Sequence, residues 1–398
     1  MSGVTLTAAT RQNLLSLQDT ASLTATTQNR LSTGLKVSSA LDNPVSFFTS
    51  QSLSQRSGDL GNLLDGISNG VQAIQAANQG LTSIQKLVDQ AKSVANQALS
   101  TQITTTGTAS AAYTNSTSAG ATTVNLYVNG ASTSVALSSG DTIDQALTKL
   151  NTVVGAGSFS KSTDGTKIVM NASSDVEFKD TASQTALGFT AGTASSGPTY
   201  GTVAAASQSS DLSVSGVSAR ATLASQYNSL LTQIDQLAGD SSFNGTNLIN
   251  GKGDNNNLTI NFNPKGNSNL TVTATDETSS GLGLTAITGS SAKTSTVGQG
   301  NFLLNADINT TLNKLTTASS QLRTDSSTFG SSLSVVQNRQ DFSKNLINVL
   351  DTGASNLTSA DLNAEAANSQ ALSTRQSLGI SALSLANTAQ QGILQLLR

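Results

Sequence analysis

The 398-residue sequence contains no cysteine, no histidine and no tryptophan. Without cysteine there is no disulfide framework, no thiolate nucleophile and no thiolate metal ligand. Without histidine, the commonest general base and the commonest metal ligand are also missing. Paired carboxylates, or serine with lysine, still leave a route to hydrolysis, so these absences lower the expectation of an enzyme without excluding one. We predict no catalytic, cofactor-binding or metal site.

Charge is also scarce, since charged residues make up 11% of the sequence and the formal net charge is −3. Typical soluble domains carry about 25% charged residues. A nearly neutral chain offers no electrostatic footprint for nucleic acid or anionic lipid, and weak charge repulsion suits association with copies of itself.

No apolar run approaches the ~18 residues of a membrane span, and the N-terminal residues lack the pattern of a Sec-type signal peptide. We therefore expect neither membrane insertion nor Sec export.

Proline is rare, and two long stretches carry the seven-residue repeat of a coiled coil. Between residues 60 and 98 every a-type and d-type position is apolar or small. Between residues 308 and 350 a second seam is interrupted by Asp325 and Ser332. This periodicity argues against the alternative of a disordered low-complexity chain. The seam residues that we predict are Leu60, Ile67, Ile74, Leu81, Val88, Leu315, Leu322, Phe329, Val336 and Leu350.

The two chain ends have helical spacing with leucines on more than one face, which favours burial on more than one side. Burying about ten such side chains is worth less than the conformational entropy lost on ordering about 80 residues. We therefore expect both ends to be disordered in the free protein and to fold when neighbouring copies cover them. The residues predicted for this contact are Leu14, Leu17, Leu31, Leu35, Leu378, Leu385, Ile393, Leu396 and Leu397.

The middle of the chain, residues 101–214, loses the helical period and is rich in serine, threonine and glycine. Four short runs have β character, at 123–128, 132–137, 167–171 and 175–179, and the dipeptides Asn129-Gly130 and Asp164-Gly165 indicate hairpin turns. A helix is predicted between them at 142–154. Further along, a helical stripe covers 223–237, and strands at 258–262 and 270–275 are predicted to form a β-hairpin.

The predicted fold class is mainly α, with long coiled-coil helices from both chain ends forming an antiparallel rod with a β-hairpin, plus an inserted small α+β domain. Residues 1–42 and 351–398 form the N- and C-terminal helices of one domain. Residues 43–100 and 216–350 form the two parts of the rod. Residues 101–215 form the insert.

Three separated motifs in the sequence are distinctive. The run from Gln28 to Val37 reads QNRLSTGLKV, and the run from Ser242 to Asn250 reads SFNGTNLIN. The end of the chain reads SLGISALSLAN from Ser377 and closes on QLLR. In this order the three motifs resemble those of bacterial flagellins. The insert near 121–190 is similar to a small module of flagellins and flagellar hook-associated proteins. In the best-known enterobacterial flagellins, however, the variable insert follows the β-hairpin, whereas here it precedes the helix at 223–237.

The resemblance implies a secreted structural subunit that self-assembles into the extracellular flagellar filament for swimming motility. The chain ends would form the inner tube and the coiled-coil segments the rod around it. Implied partners are further copies of the chain, hook-associated and cap proteins, the flagellar type III export apparatus and an export chaperone. A hook–filament junction protein and a secreted surface-binding protein or adhesin are the alternatives.

One departure concerns the segment that Toll-like receptors recognise in other flagellins. The matching stretch here is Ile84–Ala91, in which Lys86 replaces an arginine and Gln90 an apolar leucine. Lysine cannot form the bidentate fork of arginine. The resemblance therefore implies weak or no receptor activation.

Overall fold

The structure is a computed structural model that describes residues 8–114, 122–192, 208–251, 256–287 and 302–396. The predicted contact residue Leu397 lies outside these ranges, as do the side chains of Ile393 and Leu396. The chain divides into two compact units. We call residues 1–68, 260–270 and 336–398 the terminal unit, and residues 69–259 and 271–335 the central unit.

Helices dominate the described residues, and strands occur between residues 104 and 272. The helices are α1 (Ala8–Thr33), α2 (Pro44–Ser100), α3 (Ile143–Val154), α4 (Thr181–Ala186), α5 (Val217–Asp240), α6 (Asn305–Thr358) and α7 (Leu362–Leu396). The strands are β1 (Thr104–Thr108), β2 (Thr122–Val128), β3 (Ala131–Leu137), β4 (Phe159–Lys161), β5 (Ile168–Ala172), β6 (Val176–Phe178), β7 (Leu212–Ser215), β8 (Ser242–Phe243), β9 (Thr246–Asn247), β10 (Leu258–Asn261) and β11 (Asn269–Val272). The prediction of a mainly helical chain with a small inserted α+β part is confirmed.

Helix α2 runs without interruption for 57 residues. Pro44 occupies its first position, where the missing N–H costs nothing, and the side chain of Asn43 accepts a hydrogen bond from the backbone N–H of Ser46 at 3.1 Å. In the central unit the hydroxyl of Ser326 on α6 donates to Asn78 of α2, and the amide of Gln85 on α2 donates to Ser319 of α6. These pairings run in opposite chain directions, so the two helices are antiparallel there.

The predicted seam residues of α2 and α6 are all buried, with at most 7% of their surface exposed. Asp325, which interrupts the sequence pattern, is also buried at 8% exposure. Its carboxylate accepts a hydrogen bond from the side chain of Gln321, one helical turn earlier, at 2.7 Å. Asp325 can thus occupy a buried seam position because Gln321 of the same helix supplies a hydrogen-bond donor to its carboxylate.

Helix α6 continues through residue 350 and ends at Thr358, and α7 begins at Leu362. The division predicted at residues 350 and 351 therefore does not coincide with a break between helices. Asp361 accepts hydrogen bonds from the backbone N–H groups of Asn363 and Ala364. This N-terminal cap fixes the start of α7 after the break.

The inserted part contains two sheets, with strand orders β4-β5-β1-β7 and β3-β2-β6. Their buried side chains, together with Leu147 and Leu150 of α3, form one apolar core. The turn at Asn129-Gly130, with φ of 49° and 80°, joins β2 to β3 as the sequence predicts. Strands β1, β4 and β7 were not predicted, because each has at most five residues and the periodicity of so short a run is weak.

The insert begins and ends on adjacent strands. Strand β1 pairs antiparallel with β7, so that Thr104 faces Ser215. Just outside this pair, the guanidinium of Arg220 on α5 donates to the carbonyl of Thr101 at 2.7 Å. The chain therefore leaves α2 and reaches α5 at nearly the same place. None of the helices in the described ranges combines the length and the apolar character that a membrane span needs.

Candidate self-assembly surface

The first and last helices pack against each other within the terminal unit. Arg30 of α1 forms an ion pair with Glu365 of α7, at 3.1 Å between Nη1 and Oε1. Further along the pair, Leu17 lies against Gly379. The contact moves from Arg30 back to Leu17 on α1 while it moves forward from Glu365 to Gly379 on α7, so the two helices run antiparallel.

The seam between these two helices is narrow and mostly polar. On α1 it follows positions spaced three and four residues apart, including the buried Thr10 and Thr27 and the half-buried Leu17. On α7 the buried or half-buried positions are Glu365, Ser369, Leu372, Gln376, Gly379, Leu383, Ala386 and Gly392. Threonine hydroxyls on α1 bond to carbonyls one turn earlier, as Thr24 does to Thr20 at 2.7 Å. Polar residues therefore enter the seam with their hydroxyl groups satisfied within the helix.

The leucines predicted for intermolecular contact lie mainly outside this seam. Leu378 is 65% exposed and Leu385 is 72% exposed, while Leu14 and Leu31 are each about 40% exposed. Leu17 and Leu35 are half-buried. The face of α7 that the sequence highlights is therefore not the face that packs on α1.

Four further apolar side chains join this exposed set. Leu15 and Leu23 of α1 are 60% and 54% exposed, and Leu362 and Ile380 of α7 are 50% and 56% exposed. Our predicted contact set omitted them, although Leu15 and Leu23, eight residues apart, lie on one helical face with Asp19 between them. We call the exposed apolar side chains of α1 and α7 the outer face of the helix pair.

The outer face exposes large apolar side chains to water, as a surface that binds another molecule does. Covering these exposed side chains with a partner gains about 25 cal/mol per Å² of apolar surface. The helix pair itself buries few large side chains, so most of this gain requires contacts from outside the chain. In the described residues, no group of three or more acidic side chains is arranged to hold a metal ion.

A buried pair of carboxyl groups lies in the central unit, where the loop after β11 meets α6. Glu277 is 1% exposed and lies beside Asp325. Burial, together with a side-chain hydrogen bond with Asp325, raises the pKa of Glu277 to about 7. The carboxyl of Glu277 is thus a group that takes up or loses a proton near neutral pH.

Two family models match the chain at its ends. Residues 4–125 match the bacterial flagellin N-terminal helical region, and residues 312–397 match the bacterial flagellin C-terminal helical region. Together these matches cover more than half of the chain. They include α1 and α7 and much of the two long helices between them.

Curated proteins with similar sequences carry the same description. A flagellin of Brucella melitensis is 28% identical over 179 residues, which is 44% of this chain and 60% of the relative. Flagellin FljK of Caulobacter vibrioides is 30% identical over 189 residues, 48% of this chain and 63% of the relative. Flagellin C of Rhizobium meliloti is 42% identical over 77 residues, 19% of this chain and 24% of the relative. The chain thus spans less than two thirds of the length of these relatives.

Proposed function

Since the chain belongs to the bacterial flagellin family, we propose that its copies assemble into the extracellular flagellar filament that drives swimming. The role is structural: each copy contributes surfaces to a polymer and carries out no reaction. The observation that supports this proposal is the outer face of the α1–α7 pair. Its leucines are exposed in the single chain, and further copies would bury them.

The predicted domains fit the proposal as follows. Residues 1–42 and 351–398 form the inner tube, and residues 43–100 and 216–350 form the rod around it. Residues 101–215 face solvent. Contacts between copies then involve the outer-face leucines together with Ile393, Leu396 and Leu397.

Salt-induced assembly of the purified chain, followed by electron microscopy, tests the proposal. The wild-type chain is expected to form long filaments from short seeds. The double variant Leu378→Ser/Leu385→Ser removes two exposed apolar groups and is expected to remain unassembled with an unchanged circular dichroism spectrum. The matched control is Val153→Ser, because Val153 is an exposed apolar residue of the insert. Failure of the wild-type chain to assemble, or assembly of the double variant at the wild-type level, would contradict the proposal.

A hook–filament junction protein is the nearest alternative, because it would also have helical ends. The two roles differ in where the chain is found. A filament subunit labels the whole length of the flagellum with an antibody, whereas a junction protein labels a short ring at its base. We expect labelling along the whole length.

The proposal implies a set of flagellar partners. The chain would be exported by the type III apparatus with the help of an export chaperone, and would contact hook-associated and cap proteins. Deleting the genes for the export apparatus is expected to keep the chain inside the cell. Secretion that persists in such a strain would contradict this route.

Weak activation of Toll-like receptors is a further part of the proposal. Within 84–91, the side chains of Ile84 and Val88 are buried, whereas Lys86 and Gln90 are exposed. An exposed lysine gives a point charge in place of an arginine fork. A cell reporter assay is expected to give a weaker response than an enterobacterial flagellin, and Lys86→Arg/Gln90→Leu is expected to raise it.

A further inference from the structure

The terminal unit contains a groove that the helical ends do not use. The loop of the β10–β11 hairpin lies against α2 and α6 and encloses a space of about 670 Å³. Phe262 and Phe342 give it an apolar lining, and Phe342 is 58% exposed. The guanidinium carbon of Arg339 lies 5.6 Å from the centre of the Phe262 ring. We call this space the cationic groove.

Three cations and one carboxylate line the groove. They are Arg56, Lys265, Arg339 and Asp59. Within the described part of the chain, the ion pairs involve other residues, so none of these three cations has a carboxylate at ion-pair distance. An apolar lining with unpaired positive charge is suited to an apolar segment that carries negative charge.

The turn that joins α1 to α2 is such a segment. We call residues 38–48, which are the end of this connection and the first five residues of α2, the Leu41 turn. Leu41 is 96% exposed and Val45 is 76% exposed. The segment contains Asp42 and no lysine or arginine. Two largely exposed apolar side chains, Leu41 and Val45, thus lie four positions apart on either side of the carboxylate of Asp42 and the start of α2.

Hydrogen bonds hold this turn in a defined shape. The carboxylate of Asp42 accepts the backbone N–H groups of Ser38 at 2.9 Å and Ser39 at 3.0 Å. These bonds hold the pKa of Asp42 below its ordinary value, so its negative charge persists at neutral pH. Leu41 is therefore presented by a rigid, negatively charged turn, which lowers the entropy lost when it binds.

The turn cannot reach the groove of its own chain. Helix α2 begins at Pro44 and is continuous to Arg56 and Leu60 in the groove wall. A helix rises about 1.5 Å per residue, so the first residue of α2, next to Leu41, and the groove wall are held roughly 20 Å apart. A partner for either surface must therefore come from another molecule.

We propose that the Leu41 turn of one copy docks in the cationic groove of a second copy. This inference rests on the proposed function, because it names one contact within the filament. Turn and groove are different surfaces, so the contact is heterologous. A heterologous contact that does not close on itself generates an open helical polymer.

Cross-linking tests the proposal directly, because the chain has no native cysteine. Leu41→Cys copies and Lys265→Cys copies are co-assembled with an excess of wild-type chain, and the filaments are oxidised and dissolved in detergent. A disulfide needs Cα atoms within about 7 Å, so covalent dimers of one copy of each variant are expected. The matched control replaces Lys265→Cys with Asn348→Cys, an exposed position of α6 outside the groove. We expect about tenfold more dimer from the first pair than from the control.

A second cysteine variant of the Leu41 turn keeps the test decisive if Leu41→Cys itself disturbs the contact. Val45→Cys lies on the same turn and is expected to give dimers with Lys265→Cys as well. Filaments that contain the variants but yield no dimer above the control with either donor would overturn the proposal and leave the proposed function standing. A wild-type chain that forms no filaments would instead overturn the proposed function, and with it this contact.

Discussion

Leu17 of α1 packs directly onto Gly379 of α7. A Cβ atom added at Gly379 would lie 2.7 Å from Cδ2 of Leu17 and 3.1 Å from its Cγ. Such distances are too short for carbon atoms in a close-packed interior. The contact of Leu17 with α7 therefore depends on the absence of a side chain at residue 379.

The first prediction concerns this approach. We expect Gly379→Leu to push α7 away from α1 and to raise the critical concentration for filament assembly about tenfold or more, which corresponds to about 1.4 kcal/mol. The measurement is sedimentation of assembled chain across a dilution series. Gly392→Ala is the control, because Gly392 lies in the same helix and a Cβ there meets nothing within 4 Å. The control should assemble at least as well as wild type, since alanine favours a helix over glycine by about 1 kcal/mol.

The second prediction concerns the order of the chain ends before assembly. The α1–α7 seam is mostly polar, and the leucines around it are exposed. Backbone amides of residues 8–33 and 362–396 are therefore expected to exchange hydrogen quickly in dilute monomer and slowly in filaments. The buried part of α2 from residue 69 onward serves as an internal control and should be protected in both states. Strong protection of the ends in dilute monomer would show that the helix pair is stable alone.

The long helices and one hairpin turn could be predicted from the sequence, because in each a single physical requirement restricts which residues can occur. The heptads of α2 and α6 give a strong signal because an apolar stripe of that length has few other uses, and residues such as Ile74 and Leu322 are buried in the structure. The turn at Asn129-Gly130 was also found, because few residues other than glycine and asparagine adopt positive φ.

The remaining features depend on tertiary context. The intrachain seam of α1 uses threonines, which carry no apolar signal and are satisfied by their own helix. Strand β7 is recognisable only through its pairing with β1, more than one hundred residues earlier. The cationic groove combines two helices with a hairpin loop, so no local pattern indicates it.

The third prediction is a pH dependence of the central unit. The pKa of Glu277 is raised from 4.5 to about 7, first by burial and then by its contact with Asp325. Asp276 is a further carboxylate acting on the same group, and Gln321 is bonded to Asp325. The folded state binds the proton more tightly than the unfolded state. The stabilising contribution of protonated Glu277 is therefore complete below about pH 4.5 and is lost as the pH rises through 7.

Thermal unfolding of the monomer at a series of pH values measures this effect. We expect wild type to lose on the order of 1–3 kcal/mol between pH 5 and pH 8 through this group. Glu277→Gln keeps the shape and a hydrogen-bond donor but does not titrate, so its stability should fall less over the same range. Asp351→Asn is the control, since Asp351 is exposed, and it should keep the wild-type slope. Equal slopes for wild type and Glu277→Gln would contradict the assignment.

The fourth prediction is that the insert can be removed without loss of assembly. Thr104 of β1 faces Ser215 of β7, and a Cβ on Gly216 would lie 3.1 Å from the Cα atom of Ile103. Deleting residues 104–215 therefore joins two points that are already adjacent, and Arg220 still reaches the carbonyl of Thr101. The apolar core of the insert is built from its own strands and helices, so its removal exposes little of the remaining chain. We expect the deletion variant to form filaments by electron microscopy, whereas the same deletion with Arg220→Ala should assemble less well because the junction of α2 and α5 loses its anchor.

If instead the deletion variant folds but forms no filaments, the insert contributes contacts between copies. If it forms filaments that no longer adhere to a surface that wild-type filaments bind, the insert has an additional binding role.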